Sequence, residues 1–180
     1  MPPLIAALLL AALAETAADP SLSNEALSAT CAAQKCRPAK TLIVTAGGKP
    51  YQAQLPALPF VAGDNIIVVA GDEFDVEVDW GANGAPAHVS LPGATPRPDH
   101  TVHISFTQSD TGFMLSLKNG TANTFKYDAR MEVPEHGLVP TSACAVPANI
   151  SSFEMWSDPI FKLVLSNLRA LPASGSISCS

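Results

Sequence analysis

The sequence predicts an all-β fold, in which antiparallel strands form a β-sandwich after a short helical or irregular N-terminal segment. Short strand-like segments, separated by Gly, Pro and Asn, recur from residue 41 to the end of the chain. A helical repeat of about 3.6 residues is absent beyond about residue 30, so the helices that parallel strands require are missing. A chain of 180 residues is one domain of ordinary size.

The candidate strands show two kinds of pattern. Apolar and polar residues alternate in 74–80, 102–106, 113–118 and 125–131, which indicates strands with one buried and one wet face. NIIVVA and LVLSNL are apolar on both faces, which predicts positions in the interior of a sheet. The candidate strands in chain order are TLIVTA, YQAQLPAL, NIIVVA, GDEFDVEVDW, HTVHISF, GFMLSLK, TFKYDARMEV, IFKLVLSNLRA and SISC. The segments 81–99 and 134–152 are predicted to be long loops. The first contains at most the short strand HVSL, and a Cys144–Cys179 bond would favour an ordered loop in the second.

Asn119-Gly120 lies between two of these strands and is a strong turn signal, so residues 112–133 are predicted to form a β-hairpin. This strand, its LKNGT turn and the next strand resemble an immunoglobulin-like sandwich of a cell-envelope protein. The resemblance is architectural and covers about twenty residues. It implies an immunoglobulin-like β-sandwich and a place in the cell envelope.

The first 18 residues are predicted to be a secretory signal peptide. An apolar run from Leu4 to Ala14 is too short to span a bilayer but suits a signal sequence, and small residues follow it. The n-region has no Lys or Arg, so either the terminal amine supplies the positive charge or the true start lies upstream. The alternative is a buried hydrophobic helix. In the mature chain, 19–38 would be an N-terminal segment and 39–180 the sandwich domain, periplasmic or secreted, without a transmembrane segment.

Four cysteines, an even number, also suit an oxidising compartment. Three pairings are possible, and Cys31–Cys36 with Cys144–Cys179 is favoured. Five helical residues rise about 7.5 Å, which exceeds the usual Cα separation of about 4.4–6.8 Å in a disulfide. The chain, which could begin as a helix capped by Ser23, is therefore expected to turn between Cys31 and Cys36. Zinc binding is the alternative, but paired CxxC motifs are missing.

The acidic residues of GDEFDVEVDW alternate with Phe74, Val76, Val78 and Trp80. Successive outward carboxylates on one strand are about 6.6 Å apart, whereas a calcium ion holds its oxygens at about 2.3–2.6 Å. The pattern therefore favours a solvated face over a metal site, with Lys126 and Arg130 as partners if their strand is a neighbour. The apolar cluster in SFEMWSDPIFK is interpreted as facing the core, with an exposed recognition patch as the alternative.

The histidines are the remaining candidates for chemistry. His100 and His103 would face opposite ways on a strand, which speaks against a shared metal. His88 and His136 lie in the two long loops and could meet at one end of the sandwich. Motifs for a nucleophilic serine or a phosphate-binding Gly loop are missing. From the sequence we therefore assign no catalytic residue, no metal ligand and no cofactor.

The sequence favours a non-catalytic binding or envelope-accessory protein whose partner is an unknown protein or envelope component. Its net charge of −6 and lack of a basic stretch exclude nucleic acid as a partner. Long loops on a disulfide-stabilised scaffold suit binding, with His88, His136 and Trp156 as candidate binding residues. The alternative is an extracytoplasmic hydrolase or metal-binding protein that uses loop histidines and acidic residues.

Overall fold

The alternating segments form strands of two antiparallel sheets in the computed structural model, which describes residues 20–172 and residue 179. The predicted signal peptide and most of SISC lie outside the described residues. The strands are β1 (Cys36–Arg37), β2 (Lys40–Ala46), β3 (Lys49–Leu55), β4 (Leu58–Pro59), β5 (Val61–Ala62), β6 (Asn65–Val69), β7 (Glu73–Trp80), β8 (Pro86–Ser90), β9 (Thr101–Ser109), β10 (Gly112–Asn119), β11 (Phe125–Val133), β12 (Gly137–Thr141), β13 (Ser151–Trp156) and β14 (Lys162–Ala170). Helix α1 spans Asn24–Ala29, and 3-10 turns span Pro20–Leu22, Thr30–Ala32 and Pro98–His100.

Each of the two main sheets has five strands. The strand order β13-β10-β9-β7-β8 defines the open sheet, and the order β12-β11-β14-β6-β5 defines the covered sheet. Strands β2 and β3 form a separate hairpin, and β1 pairs with β4. The all-β antiparallel sandwich predicted from the sequence is therefore confirmed.

The inward apolar residues of the alternating strands fill the space between the two sheets, as their patterns predict. Ile104, Phe106 and Leu115 from the open sheet are fully buried and pack in one cluster with Val68, Leu163 and other residues of the covered sheet. Burial of this kind stabilises the fold by roughly 25 cal/mol for each Å² of apolar surface removed from water. The sandwich interior is therefore the main core.

A second, smaller core lies on the outer face of the covered sheet. Leu27 of α1 is 1% exposed and packs in one cluster with Ile67 and Val69 of β6 and Val164 of β14. The side chain of Ser23 caps α1 by accepting a hydrogen bond from Ala26 N–H at 3.1 Å. The N-terminal segment thus explains why β6 and β14 are apolar on both faces.

Two buried cations attach this segment to the sandwich. The Arg37 guanidinium pairs with Asp72 at 2.7 Å, donates to Ile67 O at 2.7 Å and lies 3.8 Å from the Phe60 ring centroid. Burial lowers the pKa of Arg37, and the hydrogen bond and charge of Asp72 oppose that change. Lys162 of β14 donates to Asn24 Oδ1 of α1 at 2.6 Å.

Both favoured cysteine pairs lie at disulfide distance, Cys31 with Cys36 and Cys144 with Cys179. The first pair has a Cα separation of 5.6 Å. Helix α1 has ended before this pair, and a 3-10 turn follows it, so the chain turns between the two cysteines as expected.

The predicted hairpin over residues 112–133 is wrong, because β10 and β11 belong to different sheets. The connection between them crosses from one sheet to the other. Asn119 is 1% exposed there, and its side chain donates to Asn123 O and Pro147 O and accepts from Thr121 N–H. These hydrogen bonds stabilise a connection that crosses between the sheets. Asn119-Gly120 therefore marks a turn, as predicted, but the turn does not form a hairpin.

The segment 134–152, which is predicted to be an ordered loop, also contains the strand β12, which pairs with β11. In 81–99, β8 overlaps the short strand predicted at HVSL and pairs with β7.

We expect Leu27→Ala to lower the free energy of unfolding by about 2–4 kcal/mol, because it leaves a cavity between α1 and the covered sheet. Urea unfolding with both disulfides intact measures the change. The control is Leu27→Met, which conserves volume and should cost less than about 1.5 kcal/mol. Equal, small losses in both variants would contradict a packed second core.

Candidate functional site

The acidic row of β7 faces outward on the open sheet, but a loop covers part of it. Glu77 Oε1 accepts the Arg97 backbone N–H and Oε2 accepts Arg97 Nε–H, both at 2.8 Å. Asp79 accepts both Arg97 Nη groups, at 2.9 and 3.2 Å. Glu77 is consequently 5% exposed. The expectation of a wholly solvated row is wrong at these two residues, because the loop before β9 folds back onto them.

The prediction that Lys126 and Arg130 pair with the acidic residues of β7 is also wrong. Lys126 and Arg130 lie on β11 in the covered sheet, so they cannot reach β7. The contacts come instead from the Arg97 guanidinium and from the imidazole rings of His100 and His103.

Two histidines contact the carboxylates of this row. His103 of β9 lies opposite Asp75 in the ladder, with Nδ1 2.7 Å from Asp75 Oδ1. His100 Nδ1 lies 2.7 Å from Asp79 Oδ1. His100 belongs to a 3-10 turn before the strand, so the strand alternation that predicted opposite faces for His100 and His103 does not apply. Both side chains point to the carboxylates of β7.

These contacts change the titration of the carboxyl groups that hold the loop. The pKa of Glu77 is lowered, chiefly by the hydrogen bond from the Arg97 backbone. The pKa of Asp79 is lowered chiefly by the hydrogen bond from the Arg97 side chain, and the pKa of Arg97 is raised by the same contact. Both carboxylates are therefore ionised at neutral pH, and they fix the loop over one end of the open sheet.

The fixed loop forms one wall of a groove of about 480 Å³ on the outer face of the open sheet. The other wall and the floor come from β7, β9, β10 and the residue after β10. The lining residues are Asp75, Pro96, Pro98, Thr101, His103, Lys118 and Gly120. A Cβ at Gly120 would lie 2.5 Å from Pro98 O, so only glycine permits this approach of loop and strand. Lys118 is exposed and lies opposite His103 in the ladder.

Beside the groove, the open sheet carries an apolar patch, which consists of Met114, Phe153 and Met155. Phe153 is 58% exposed and Met155 69% exposed, and Met155 lies opposite Met114 in the ladder. Ile160 and Phe161, from the same SFEMWSDPIFK segment, are buried. The interpretation of that segment as core-facing is thus correct for its second half and wrong for Phe153 and Met155.

The three candidate binding residues lie apart. His88 is exposed on β8 opposite Asp79, near the end of β7, whereas His136 is exposed in the β11–β12 turn. That turn lies at the end of the sandwich where β6 leads into the start of β7, because β11 ends beside Lys162 and Lys162 pairs with Val69. His88 and His136 therefore lie at opposite ends, and the expectation that they could meet is wrong.

Trp156 is half-buried between the sheets. Its indole N–H donates to Thr141 Oγ1 at 2.8 Å, and its ring packs edge-on against Phe106. Roles of His88, His136 and Trp156 in binding stay predictions.

Sequence reasoning missed Arg97, His103 and Lys118 as parts of one site. The available signal was that alternation predicts both Asp75 and His103 to point outward. Two outward residues on neighbouring strands can meet once the strand pairing is known. The pairing itself depends on long-range contacts that a local pattern does not contain.

We expect Glu77→Ala to lower the free energy of unfolding by about 1–3 kcal/mol, because it removes two charge-assisted hydrogen bonds to Arg97. Chemical denaturation at neutral pH measures the change. Glu73→Ala is the control on the same strand, since Glu73 is exposed and lies 3.5 Å from His103; its effect should stay within about 0.5 kcal/mol. Indistinguishable effects would contradict a loop held by Glu77.

The same contacts predict a pH dependence. Because the native pKa values of Glu77 and Asp79 are lowered, their stabilisation is complete above the unfolded values of about 4 and is lost as pH falls through the native values. Between pH 6 and pH 3, the wild type should therefore lose more stability than the double variant Glu77→Gln/Asp79→Asn. Parallel unfolding curves at the two pH values test this, and equal losses would count against it.

Among residues 20–172 and 179, there is no cluster of three or more His, Cys, Asp or Glu side chains arranged to hold a metal ion. The described part of the chain also has no helix with the length and apolar character needed to cross a membrane. In comparisons with known proteins, no family model, no curated protein and no solved structure matched the chain.

Proposed function

We propose that this chain is a non-catalytic binding protein of an extracytoplasmic compartment, periplasmic or secreted, and that it binds a protein or envelope component with its open sheet. One observation carries the proposal: the N-terminal segment covers the outer face of one sheet, whereas the other sheet keeps a groove and an apolar patch at its surface. Exposed apolar side chains that cluster on one face of a protein mark interaction sites more often than scattered ones do.

The groove suggests the chemistry of the bound group. Pro96 and Pro98 supply an apolar wall, and Lys118 supplies an ammonium group that has no ion-pair partner among the described residues. The carboxylate of Asp75 is already hydrogen-bonded to His103. An acidic group on the partner therefore suits the Lys118 side of the groove, with an apolar group against the prolines.

The compartment and the finer fold assignment belong to the same proposal. Two cysteine pairs at disulfide distance support an oxidising compartment. Two packed antiparallel sheets agree with the immunoglobulin-like architecture that the sequence resembles, and we retain that assignment as part of the proposal.

The alternative, a hydrolase or metal-binding protein using His88 and His136, has no supporting geometry, since these residues lie at opposite ends of the sandwich. Elemental analysis of the purified mature chain tests this alternative. One bound zinc or copper per chain, lost in His88→Ala or His136→Ala, would overturn the binding proposal in favour of it.

Site-specific photocrosslinking tests the binding proposal in cells that naturally produce the protein. A benzophenone amino acid replaces Met114 in the apolar patch of the open sheet, and the control replaces Ile43, which is also exposed and apolar but lies on the separate β2–β3 hairpin. We expect a discrete adduct with a partner from position 114 and none from position 43. Adducts from both positions alike, or from neither, would contradict the open sheet as the binding surface.

A further inference from the structure

The edge strand β13 carries an unusual amount of exposed apolar surface. The exposed large apolar side chains of the described residues are Ile43, Met114, Ile150, Phe153 and Met155. All of these except Ile43 lie on β13, directly before it, or opposite it on β10. Among residues 20–172 and 179, β13 is the last strand of the open sheet, so this patch borders a strand edge that no described strand pairs with.

The backbone of β13 offers hydrogen-bonding groups at the same edge. Asn119 N–H donates to Ile150 O at 3.0 Å, which sets the alternation of the β10–β13 ladder. In an antiparallel ladder, hydrogen-bonded and non-hydrogen-bonded pairs alternate, so Ser152 and Glu154 bond to β10. The amide and carbonyl groups of Ser151, Phe153 and Met155 therefore point away from β10, toward the free edge.

The opposite edge of the open sheet is protected in ways that β13 is not. Strand β8 contains Pro86, and a bulge interrupts its pairing with β7 at Asp79/Trp80. Prolines, bulges and charges on edge strands are the usual means of preventing strand addition. The sequence SSFEMW has no proline and no lysine, and its ladder with β10 is regular. Its one charged side chain, Glu154, accepts a hydrogen bond from the backbone N–H of Cys144. Within the described part of the chain, the edge of β13 is thus open to another strand.

We propose that a second copy of this chain pairs with β13 in antiparallel fashion, so that the two open sheets form one continuous sheet across a two-fold axis. The axis passes next to Phe153, which lies opposite Phe153 of the second copy. Ser151 then pairs with Met155 of the second copy, and Met155 with its Ser151. This register uses the free groups of all three residues in about six main-chain hydrogen bonds.

The side chains on both faces of β13 fit this register. On the outer face, the two Phe153 rings meet at the axis and the two Met155 side chains flank them. On the inner face, Glu154 lies opposite Ser152 of the second copy, so two carboxylates do not face each other. Ile150, which is 56% exposed, comes opposite Trp156 of the second copy.

The negative net charge of −6 does not prevent this pairing. The acidic row on β7 is three strands from the edge, so the two rows of a dimer are seven strand spacings apart, about 34 Å. This distance exceeds the Debye length of about 8 Å at physiological ionic strength several-fold. The strand at the axis itself carries Glu154 as its one charged residue.

The interface is of modest size. Strand pairing and the exposed apolar side chains together bury roughly 1,000 Å² over both copies, at the lower end of specific interfaces. Exchange between monomer and dimer is therefore reversible and depends on concentration. In the dimer, both grooves lie on the same face of the continuous sheet. Formation of the dimer does not require a ligand in either groove.

Sedimentation of the full mature chain, with disulfides intact, tests the proposal over a concentration series. We expect the mass to double as concentration rises, and Phe153→Glu to remove the dimer by placing two carboxylates at the axis while the melting temperature stays within a few degrees. Ile43→Glu is the matched control and should leave the dimer intact. A wild type that stays monomeric up to millimolar concentration, or a dimer that survives Phe153→Glu, would overturn the proposal.

Engineered cysteines test the register. Residues of a hydrogen-bonded antiparallel pair have Cα atoms about 5.5 Å apart, within the range of a disulfide. Phe153→Cys should therefore crosslink two copies, whereas Met155→Cys should not, because each Met155 lies opposite Ser151. Crosslinking by Met155→Cys alone would contradict this register. Slow amide exchange at Phe153 in a purely monomeric sample would show that another part of the chain covers the edge, which also contradicts it.

Discussion

The structure depends on one constraint: β6 and β14 are apolar on both faces, so the sheet that contains them needs a layer on each side. The opposite sheet supplies one layer, and the N-terminal segment supplies the other through Leu27. That segment has a helix of six residues, too short to be stable alone. The short Cys31–Cys36 ring, the buried Arg37 and the Lys162–Asn24 hydrogen bond hold it in place. The fold therefore requires the N-terminal segment to cover the outer face of this sheet.

Local patterns in the sequence predict which face of each strand is buried, but not which residues pack against that face. The burial of Leu115 and exposure of Met114 follow from alternation alone, and so does the double-sided burial of β6. The failures concern long-range contacts. Asn119-Gly120 marks a turn whether it joins neighbouring strands or crosses between sheets, and the choice depends on Asn119 bonding to Pro147, 28 residues away. The partner of Glu77 is likewise a loop residue 20 positions later.

The candidate site was harder to predict than the fold for the same reason. Asp75, His103 and Lys118 stand in one row across three strands, and only the strand order brings them together. The loop wall of the groove depends further on Arg97 reaching both Glu77 and Asp79. Four carboxylates on one strand suggest a charged surface, yet Arg97 neutralises part of that charge and its loop buries Glu77. The exposed surface of the open sheet is therefore less acidic than the sequence suggests.

Magnitudes indicate what each remaining feature of the open sheet would contribute to the proposed binding. An exposed ion pair at Lys118 would contribute about 0–1 kcal/mol and would weaken with salt. Phe153 and Met155 are more than half exposed, so each offers roughly 100 Å² of apolar surface, or about 2.5 kcal/mol on burial. Apolar contacts near β13 therefore dominate the affinity of any complex that includes them. The charged groove, which is rigidly held by its loop, adds orientation and selectivity rather than strength.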